Sequence, residues 1–151
     1  MGVREALAAV GHTLPEPAAA LGAYVPAVRS GAFVFTSGQI PMREGQLLAT
    51  GIVGADVGED AARACAIQCV LNALAAASTV CSLDDVVRVV KVVGYVASAP
   101  GFTSQPRVID AASEMLVSAL GEAGRHAREA VGVAALPLGA PVEVSLILEV
   151  R

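Results

Sequence analysis

The sequence predicts a two-layer α+β sandwich, in which a mixed sheet of five or six strands carries two main helices on one face. Apolar residues recur at three- and four-residue steps in two long segments, which is typical of amphipathic helices. At residues 142–150 they alternate with mostly polar residues, which is typical of a strand with one buried side. A length of 151 residues is the usual size of one domain.

The chain is interpreted as an amino-terminal arm at residues 1–20, followed by a single domain at residues 21–151. Residues 3–10 are expected to form a short helix that ends at Gly11. Pro15 follows soon afterwards and cannot continue a helix, because proline lacks the amide hydrogen. The arm is therefore predicted to be an appendage of the domain.

Short β-prone runs open the domain. Val25–Val28 and Phe33–Thr36 are separated by four residues, a spacing that indicates a hairpin. The pair at residues 47–48 is expected to add a brief third strand, after turn residues at 43–45.

The middle of the chain contains one long helix and one long strand. An Ala-rich helix is predicted from Glu59 to about Ser78. Val86–Val96 is almost entirely β-branched, which is typical of a central strand covered on both sides. Its charged residues, Arg88 and Lys91, are expected to point to opposite faces by the two-residue period of a strand.

A second helix and two further strands complete the domain. The helix is predicted to begin at Thr103 or Ser104, with Pro106 in its first turn. The closing strands are predicted at residues 129–135 and 142–150.

Composition excludes several classes of protein. The net charge of −4 provides no basic excess for a phosphate backbone, so nucleic acid is not expected as a partner. Charges interrupt the apolar stretches before they reach about 18 residues, so no membrane span is predicted. With 55% hydrophobic and only 16% charged residues, part of the surface is expected to be covered by copies of the same chain. The odd number of cysteines, three, indicates reduced thiols and a cytoplasmic location.

Two charged residues near the carboxyl end are the main candidates for chemistry. Arg128 opens one closing strand and Glu143 lies on the polar face of the next, so a hairpin could bring them together. An arginine fork binds a carboxylate and a glutamate can orient or deprotonate water, so the pair could hydrolyse a small anion. A surface salt bridge, or two separate solvated charges, is the alternative. His12 and His126 have no neighbours at metal-ligand spacing, so no metal site is predicted.

Three blocks of sequence surround these residues. They are Gly22-Ala23-Tyr24-Val25 with Phe35-Thr36-Ser37-Gly38-Gln39-Ile40-Pro41, then Ala127-Arg128, and then Ala134-Ala135-Leu136-Pro137 continuing to Val142-Glu143-Val144. In order and spacing they resemble the Rid family (RidA/YjgF, the reactive intermediate deaminases, with the older name endoribonuclease L-PSP). The resemblance covers roughly residues 22–151.

The resemblance implies a chorismate-mutase-like (YjgF-like) protomer, assembled as a homotrimer with clefts between subunits. It implies an enamine/imine deaminase, which converts reactive 2-imino acids and water to 2-oxo acids and ammonia without a cofactor. Carried over to this chain, Arg128 would bind the substrate carboxylate and Glu143 would position or activate the water. Gly38 would offer backbone contacts to the nitrogen end of the substrate, and Tyr24 would line the cleft.

Two departures from the common family pattern indicate a divergent branch. Ala130 stands where common members have a cysteine, although backbone contacts from that position to the substrate remain possible. Ser145 replaces the second acid of a frequent Glu-x-Glu pattern. They keep open a second hypothesis, a non-catalytic trimeric module that binds a small carboxylate or a partner protein. Ribonuclease activity is suggested only by the older family name, and the acidic balance argues against it.

Overall fold

The computed structural model describes all residues of the chain, 1–151, and contains three helices and seven strands. In chain order they are α1 (Val3–Ala9), β1 (Ala27–Ser30), β2 (Phe33–Thr36), β3 (Met42–Arg43), β4 (Gln46–Leu47), α2 (Glu59–Ala77), β5 (Val86–Ala97), α3 (Gln105–Leu120), β6 (Ala127–Val133) and β7 (Val142–Val150). Five strands form the main sheet in the order β1-β2-β7-β5-β6. Only the β5–β6 pair is parallel. The predicted α+β sandwich with a mixed sheet is confirmed.

The strand boundaries follow the sequence patterns with small shifts. β2 and β7 have the predicted bounds, whereas β1 and β6 are displaced by two residues from the predicted ranges. Leu47 belongs to a strand, as predicted, but β4 pairs only with β3 in a separate two-stranded hairpin. Helix α3 begins after Ser104 with Pro106 in its first turn. Proline is tolerated there because the first amides of a helix have no partner inside it.

The core lies between one face of the sheet and the helices α2 and α3. The even-numbered residues of β7 are all buried and the odd-numbered ones are only partly buried, which confirms the predicted alternation. Helix α2 is buried on most sides rather than along one stripe, because its many alanines let neighbouring elements approach closely. Asn72 on this helix donates hydrogen bonds to the carbonyls of Ile40 and Met42, at 3.0 and 2.9 Å. These bonds fix the segment leading into β3 against α2.

The prediction that Arg88 and Lys91 point to opposite faces is wrong. The register of β5 against β7 shifts between Val89 and Lys91, so an extra residue interrupts the two-residue period. Arg88 lies opposite Glu149 and Lys91 lies opposite Ile147, which share one face of β7. Both cations therefore lie on the face away from the helices.

Within the single chain the helices cover only one face of the sheet. The face opposite the helices, termed the open face, exposes large apolar side chains. Phe33 and Phe35 of β2 are 42% and 44% exposed, and Val28 of β1 is 52% exposed. None of the three helices is both long and apolar enough to cross a bilayer.

The amino-terminal segment packs on the helical side of the domain. Leu7 of α1 is fully buried and Leu14 is nearly so, and both belong to the main core cluster. The amide of Val3 donates to Asp84 Oδ1 at 2.8 Å, just ahead of β5. The division of the chain at residue 20 stays a prediction, but this contact network joins the arm to the domain core.

Candidate functional site

One half of the candidate site is built where the chain passes from β2 to the start of β7. Gln39 and Val144 exchange two backbone hydrogen bonds, at 2.9 and 3.0 Å. This bridge puts Gly38 directly beside the Glu143 side chain. A Cβ atom on Gly38 would lie 2.6 Å from Glu143 Oε2, so any larger residue would have to displace the carboxylate from this position.

Glu143 lies on the open face of the sheet, opposite Tyr95 of β5. Burial removes part of its hydration, and this desolvation raises the pKa of the carboxyl above its ordinary value of 4.5. A carboxylate with a raised pKa is a stronger base than an ordinary surface glutamate. Glu143 therefore has the chemical character of a group that takes a proton from water.

Tyr24 lies in the segment that precedes β1 and is 56% exposed. This segment runs beside the end of β2, because Ser37 donates hydrogen bonds to two of its carbonyls. The Ser37 hydroxyl donates to the carbonyl of Val25 at 2.7 Å, and its amide donates to that of Pro26 at 2.8 Å. The predicted residues Tyr24, Gly38 and Glu143 thus come from segments that are joined through Ser37 and Gln39.

Arg128 forms the other half of the candidate site, on β6 at the edge of the sheet. It lies opposite the buried Val92, so its side chain points to the helix-covered side, where it is 24% exposed. Its Nη1 atom donates to Asp110 Oδ1 at 2.7 Å and to Ser113 Oγ at 3.2 Å. Nε and Nη2 of Arg128 donate no hydrogen bond within the chain.

His126 completes the contacts around this arginine. Its Nδ1 lies 2.6 Å from the carbonyl oxygen of Gly124, and its Nε2 lies 2.9 Å from Ser113 Oγ. A carbonyl oxygen can only accept, so in the neutral ring Nδ1 carries the hydrogen and Nε2 accepts from the Ser113 hydroxyl. The lone pairs of Ser113 Oγ are then free to accept from Arg128.

Ala130 lies two residues beyond Arg128 on the same face of β6, opposite Gly94. A Cβ atom on Gly94 would lie 2.5 Å from Ile109 Cδ1, so helix α3 approaches the sheet closely at this point. The methyl group of Ala130 packs against the core and carries no reactive atom. Any contact that this position makes with a ligand would come from its backbone.

The prediction that a hairpin brings Arg128 and Glu143 together is wrong. β6 and β7 do not pair, because β5 lies between them. Arg128 lies level with Val92 and Glu143 with Tyr95, three residues further along β5, so the side chains point to opposite faces of the sheet. The spacing of strands and residues separates their backbones by roughly 14 Å. The Arg128 and Glu143 side chains of one protomer therefore cannot both contact one small substrate.

Sequence reasoning missed Asp110, Ser113 and His126. Asp110 and Ser113 are one turn apart on α3, beside its buried stripe, and this polar pair was the available signal. The contact of Ser113 with His126 depends on how the chain returns to the sheet after α3. No spacing in the sequence indicates it.

The remaining acidic, cysteine and histidine side chains do not form a second candidate site. No group of three or more His, Cys, Asp or Glu side chains is arranged to hold a metal ion. A cavity of about 760 Å³ lies between the arm, the β3–β4 hairpin and α2. None of the predicted site residues lines it.

Comparisons with known proteins agree with the fold and the motifs. The family model described as "YjgF/chorismate mutase-like, putative endoribonuclease" matches residues 4–150. The chain is 45% identical over 147 residues to Protein TCP17 of Trypanosoma cruzi, covering 94% of this chain and 90% of that protein. It is 42% identical to the crystal structure of protein Atu1372 from Agrobacterium tumefaciens, of unknown function, with a TM-score of 0.90 over 99% of this chain and 92% of that one.

A more distant structural relative is the YjgF gene product of E. coli. It is 29% identical, with a TM-score of 0.64, and the match covers 92% of this chain and 96% of that one. The family match begins at residue 4, whereas the sequence motifs predicted a resemblance only from residue 22. The family match therefore extends over most of the amino-terminal helix.

Proposed function

Because the chain belongs to the YjgF/chorismate mutase-like family, we propose that it is an enamine/imine deaminase. The substrate is a reactive 2-imino acid, or its enamine tautomer, and the products are the 2-oxo acid and ammonia. What supports the proposal is the chemical character of two residues, Arg128 and Glu143. Arg128 keeps its Nε–Nη2 edge unused, and Glu143 has a pKa raised by desolvation.

In the proposed reaction Arg128 binds the substrate carboxylate through two parallel hydrogen bonds. Water attacks the imine carbon, and Glu143 accepts a proton from this water as the C–O bond forms. This proton is then delivered to the nitrogen, which gives a tetrahedral intermediate with one hydroxyl and one amino group. The hydroxyl proton moves in turn to the amino group, the C–N bond breaks, and the C=O bond forms as ammonia leaves. Holding the substrate beside an oriented water replaces a bimolecular encounter with a step inside the cleft.

The other predicted residues have supporting roles in this proposal. Tyr24 lines the cleft, and the backbone at Gly38 contacts the nitrogen end of the substrate. Ala130 contributes its backbone beside Arg128. No cofactor or metal takes part, since the imine carbon is already electrophilic.

The proposed active site lies between subunits of a homotrimer. Arg128 and Glu143 point to opposite faces of one sheet, so a single substrate can meet both only if two protomers contribute. The open face, which exposes Phe33 and Phe35 of β2, supplies apolar surface for such an assembly. Closed rotational symmetry then gives each protomer the same pair of neighbours.

The proposal is tested by coupling the purified protein to threonine dehydratase and following the disappearance of 2-iminobutyrate, with a chelator present. The wild-type protein is expected to accelerate hydrolysis, and Arg128→Ala to lose about a hundredfold or more of that acceleration. Arg125→Ala is the matched control, because Arg125 is nearby but pairs with Glu122 at 2.9 Å. Equal loss in both variants, or no acceleration by the wild type, would contradict the proposal.

A second candidate is a non-catalytic trimeric module that binds a small carboxylate or a partner protein. Ala130 and Ser145, which replace a cysteine and an acid of the common pattern, favour it. In this case 2-oxobutyrate would raise the melting temperature while imine hydrolysis stayed at the uncatalysed rate. RNA cleavage is less well supported, because the net charge of −4 does not attract a polyanion.

The proposal includes a cytoplasmic location. The three cysteines, Cys65, Cys69 and Cys81, are free thiols, which is the form that a reducing compartment maintains.

A further inference from the structure

We propose that Asp110, Ser113 and His126 are positioning residues, which hold the Arg128 guanidinium in the orientation that a substrate carboxylate requires. This inference rests on the proposed function, because it takes Arg128 as the carboxylate-binding residue. None of the three residues belongs to the sequence motifs that indicated the site.

The hydrogen bonds of Arg128 divide its guanidinium into an anchored part and a free edge. A guanidinium has five N–H groups, two of them on Nη1. Nη1 donates to Asp110 and to Ser113, so both of its hydrogens are used. The remaining Nε–Nη2 edge presents two parallel N–H groups, which is the fork that matches a carboxylate.

The two acceptors of Nη1 lie on one rigid element. Asp110 and Ser113 are one turn apart on α3, and α3 packs so closely on the sheet that Ile109 occupies the space of a Cβ atom at Gly94. Supporting groups on a packed helix hold a side chain more accurately than groups on a loop. The guanidinium plane is therefore set by the contact of α3 with the sheet.

His126 decides which way the Ser113 hydroxyl points. The Gly124 carbonyl accepts a hydrogen bond from Nδ1, so in the neutral ring Nε2 accepts the hydroxyl hydrogen of Ser113. Ser113 Oγ is then oriented as an acceptor toward Arg128 rather than as a donor that would repel it. His126 thus acts on Arg128 through Ser113.

Asp110 also balances the charge of the arginine before substrate binds. The Arg128 side chain is only 24% exposed, and an unpaired cation there would be poorly solvated. With Asp110 on one side, Arg128 keeps one conformation in the free protein. Less conformational freedom is then lost when a carboxylate binds to the open edge.

The kinetic test compares variants of α3 in the imine assay. Asp110→Ala is expected to raise KM about tenfold and to change kcat less, because it loosens the group that binds the carboxylate. Asp110→Asn keeps an acceptor at the same place and is expected to restore KM to within about threefold of wild type. The KM of Ser113→Ala is expected to lie between those of the two Asp110 variants.

The matched control is Glu114→Gln, on the same helix. Glu114 forms an ion pair with Arg63 at 3.2 Å, and it forms no hydrogen bond or ion pair with Arg128. Its KM is expected to stay at the wild-type value. If Asp110→Ala and Asp110→Asn both lowered KM, Asp110 would be a competitor of the substrate and the inference would be overturned. Equal KM in Asp110→Ala and wild type would overturn it as well.

A second readout does not depend on turnover. Hindered rotation of an anchored guanidinium gives resolved Nη signals in ¹H–¹⁵N spectra, whereas a freely rotating one gives an averaged signal. Arg128, assigned through Arg128→Lys, is expected to show resolved signals in wild type and averaged signals in Asp110→Ala and Ser113→Ala. Resolved signals without imine turnover would reject the proposed function alone. Turnover with averaged signals in wild type would reject the positioning network alone.

Discussion

The two faces of the five-stranded sheet are built from alternating residues of the same strands, yet they differ in what covers them. On the helix-covered face Val34, Val92 and Leu148 are fully buried beneath α2 and α3. On the open face Phe35 and Val131 are 44% and 42% exposed. In a single chain the helices thus bury one face, and the other face keeps apolar groups exposed to water.

The open face also carries charge pairs among its apolar side chains. Arg88 faces Glu149 at 4.0 Å, and Lys91 contacts Glu129 at 2.7 Å. An apolar surface with paired charges can be covered by a second protein without leaving isolated ions buried. One face is thus the core of the protomer, and the other has the character that the proposed assembly of subunits requires.

A charge placed among the exposed apolar side chains of the open face is expected to change the protein most. Phe35→Asp is expected to convert the proposed trimer to a monomer, since an unpaired carboxylate would be buried in the interface. Light scattering of the purified variant measures the mass. Val10→Asp introduces the same change at the end of α1, on the helical side, and is expected to leave the mass unchanged. A wild-type protein that is itself monomeric would contradict the interface.

The next effect compares two neighbours on β7. Leu148 lies opposite Val34 on the helix-covered face, and Ile147 lies opposite Phe35 on the open face. Leu148→Ala is expected to lower the free energy of unfolding by about 2–5 kcal/mol, because it leaves a cavity in a packed core. Ile147→Ala is expected to cost less than about 1.5 kcal/mol under conditions where the protein is monomeric. Denaturant unfolding measures both, and equal losses would remove the distinction between the faces.

The smallest effect concerns Glu143. Its raised pKa means that the folded protein favours the protonated carboxyl more than the unfolded chain does. The protonated carboxyl therefore stabilises the fold below pH 4.5, and this contribution to the free energy of unfolding is lost as pH rises through the folded-state pKa. Glu143→Gln mimics the neutral acid and is expected to raise Tm at pH 7 by about 2 °C at most, with no gain at pH 4. Glu149→Gln loses the pair with Arg88 and is expected to give no such gain. A lower Tm for Glu143→Gln at pH 7 would contradict the desolvation.

The periodicity of apolar residues was sufficient to predict the strands in which burial follows one pattern from end to end. The alternation in β7 and the β-branched run of β5 gave the right strands, and the family motifs predicted the chorismate-mutase-like fold. The bulge near Val90 was not predictable, because every residue around it suits a strand equally well. It reversed the expected placement of Arg88 relative to Lys91.

In the candidate site, too, contacts within the short motifs were predictable from the sequence, whereas distances that depend on the strand order were not. The close approach of Gly38 to Glu143 follows from two short motifs that lie side by side in the fold. The separation of Arg128 from Glu143 follows from the strand order, in which β5 enters between β6 and β7. Sequence spacing alone suggested a hairpin, because adjacent strands in the chain are usually adjacent in the sheet.

Complementation between two inactive variants tests whether Arg128 of one protomer acts with Glu143 of another. Arg128→Ala and Glu143→Gln chains, carrying different tags, are co-expressed and purified through both tags, and imine hydrolysis is measured. Each variant alone is expected to be inactive, whereas every mixed trimer contains one intact cleft and is expected to recover about one third of wild-type activity. No recovery in mixed trimers, from variants that assemble normally, would contradict a site shared between subunits.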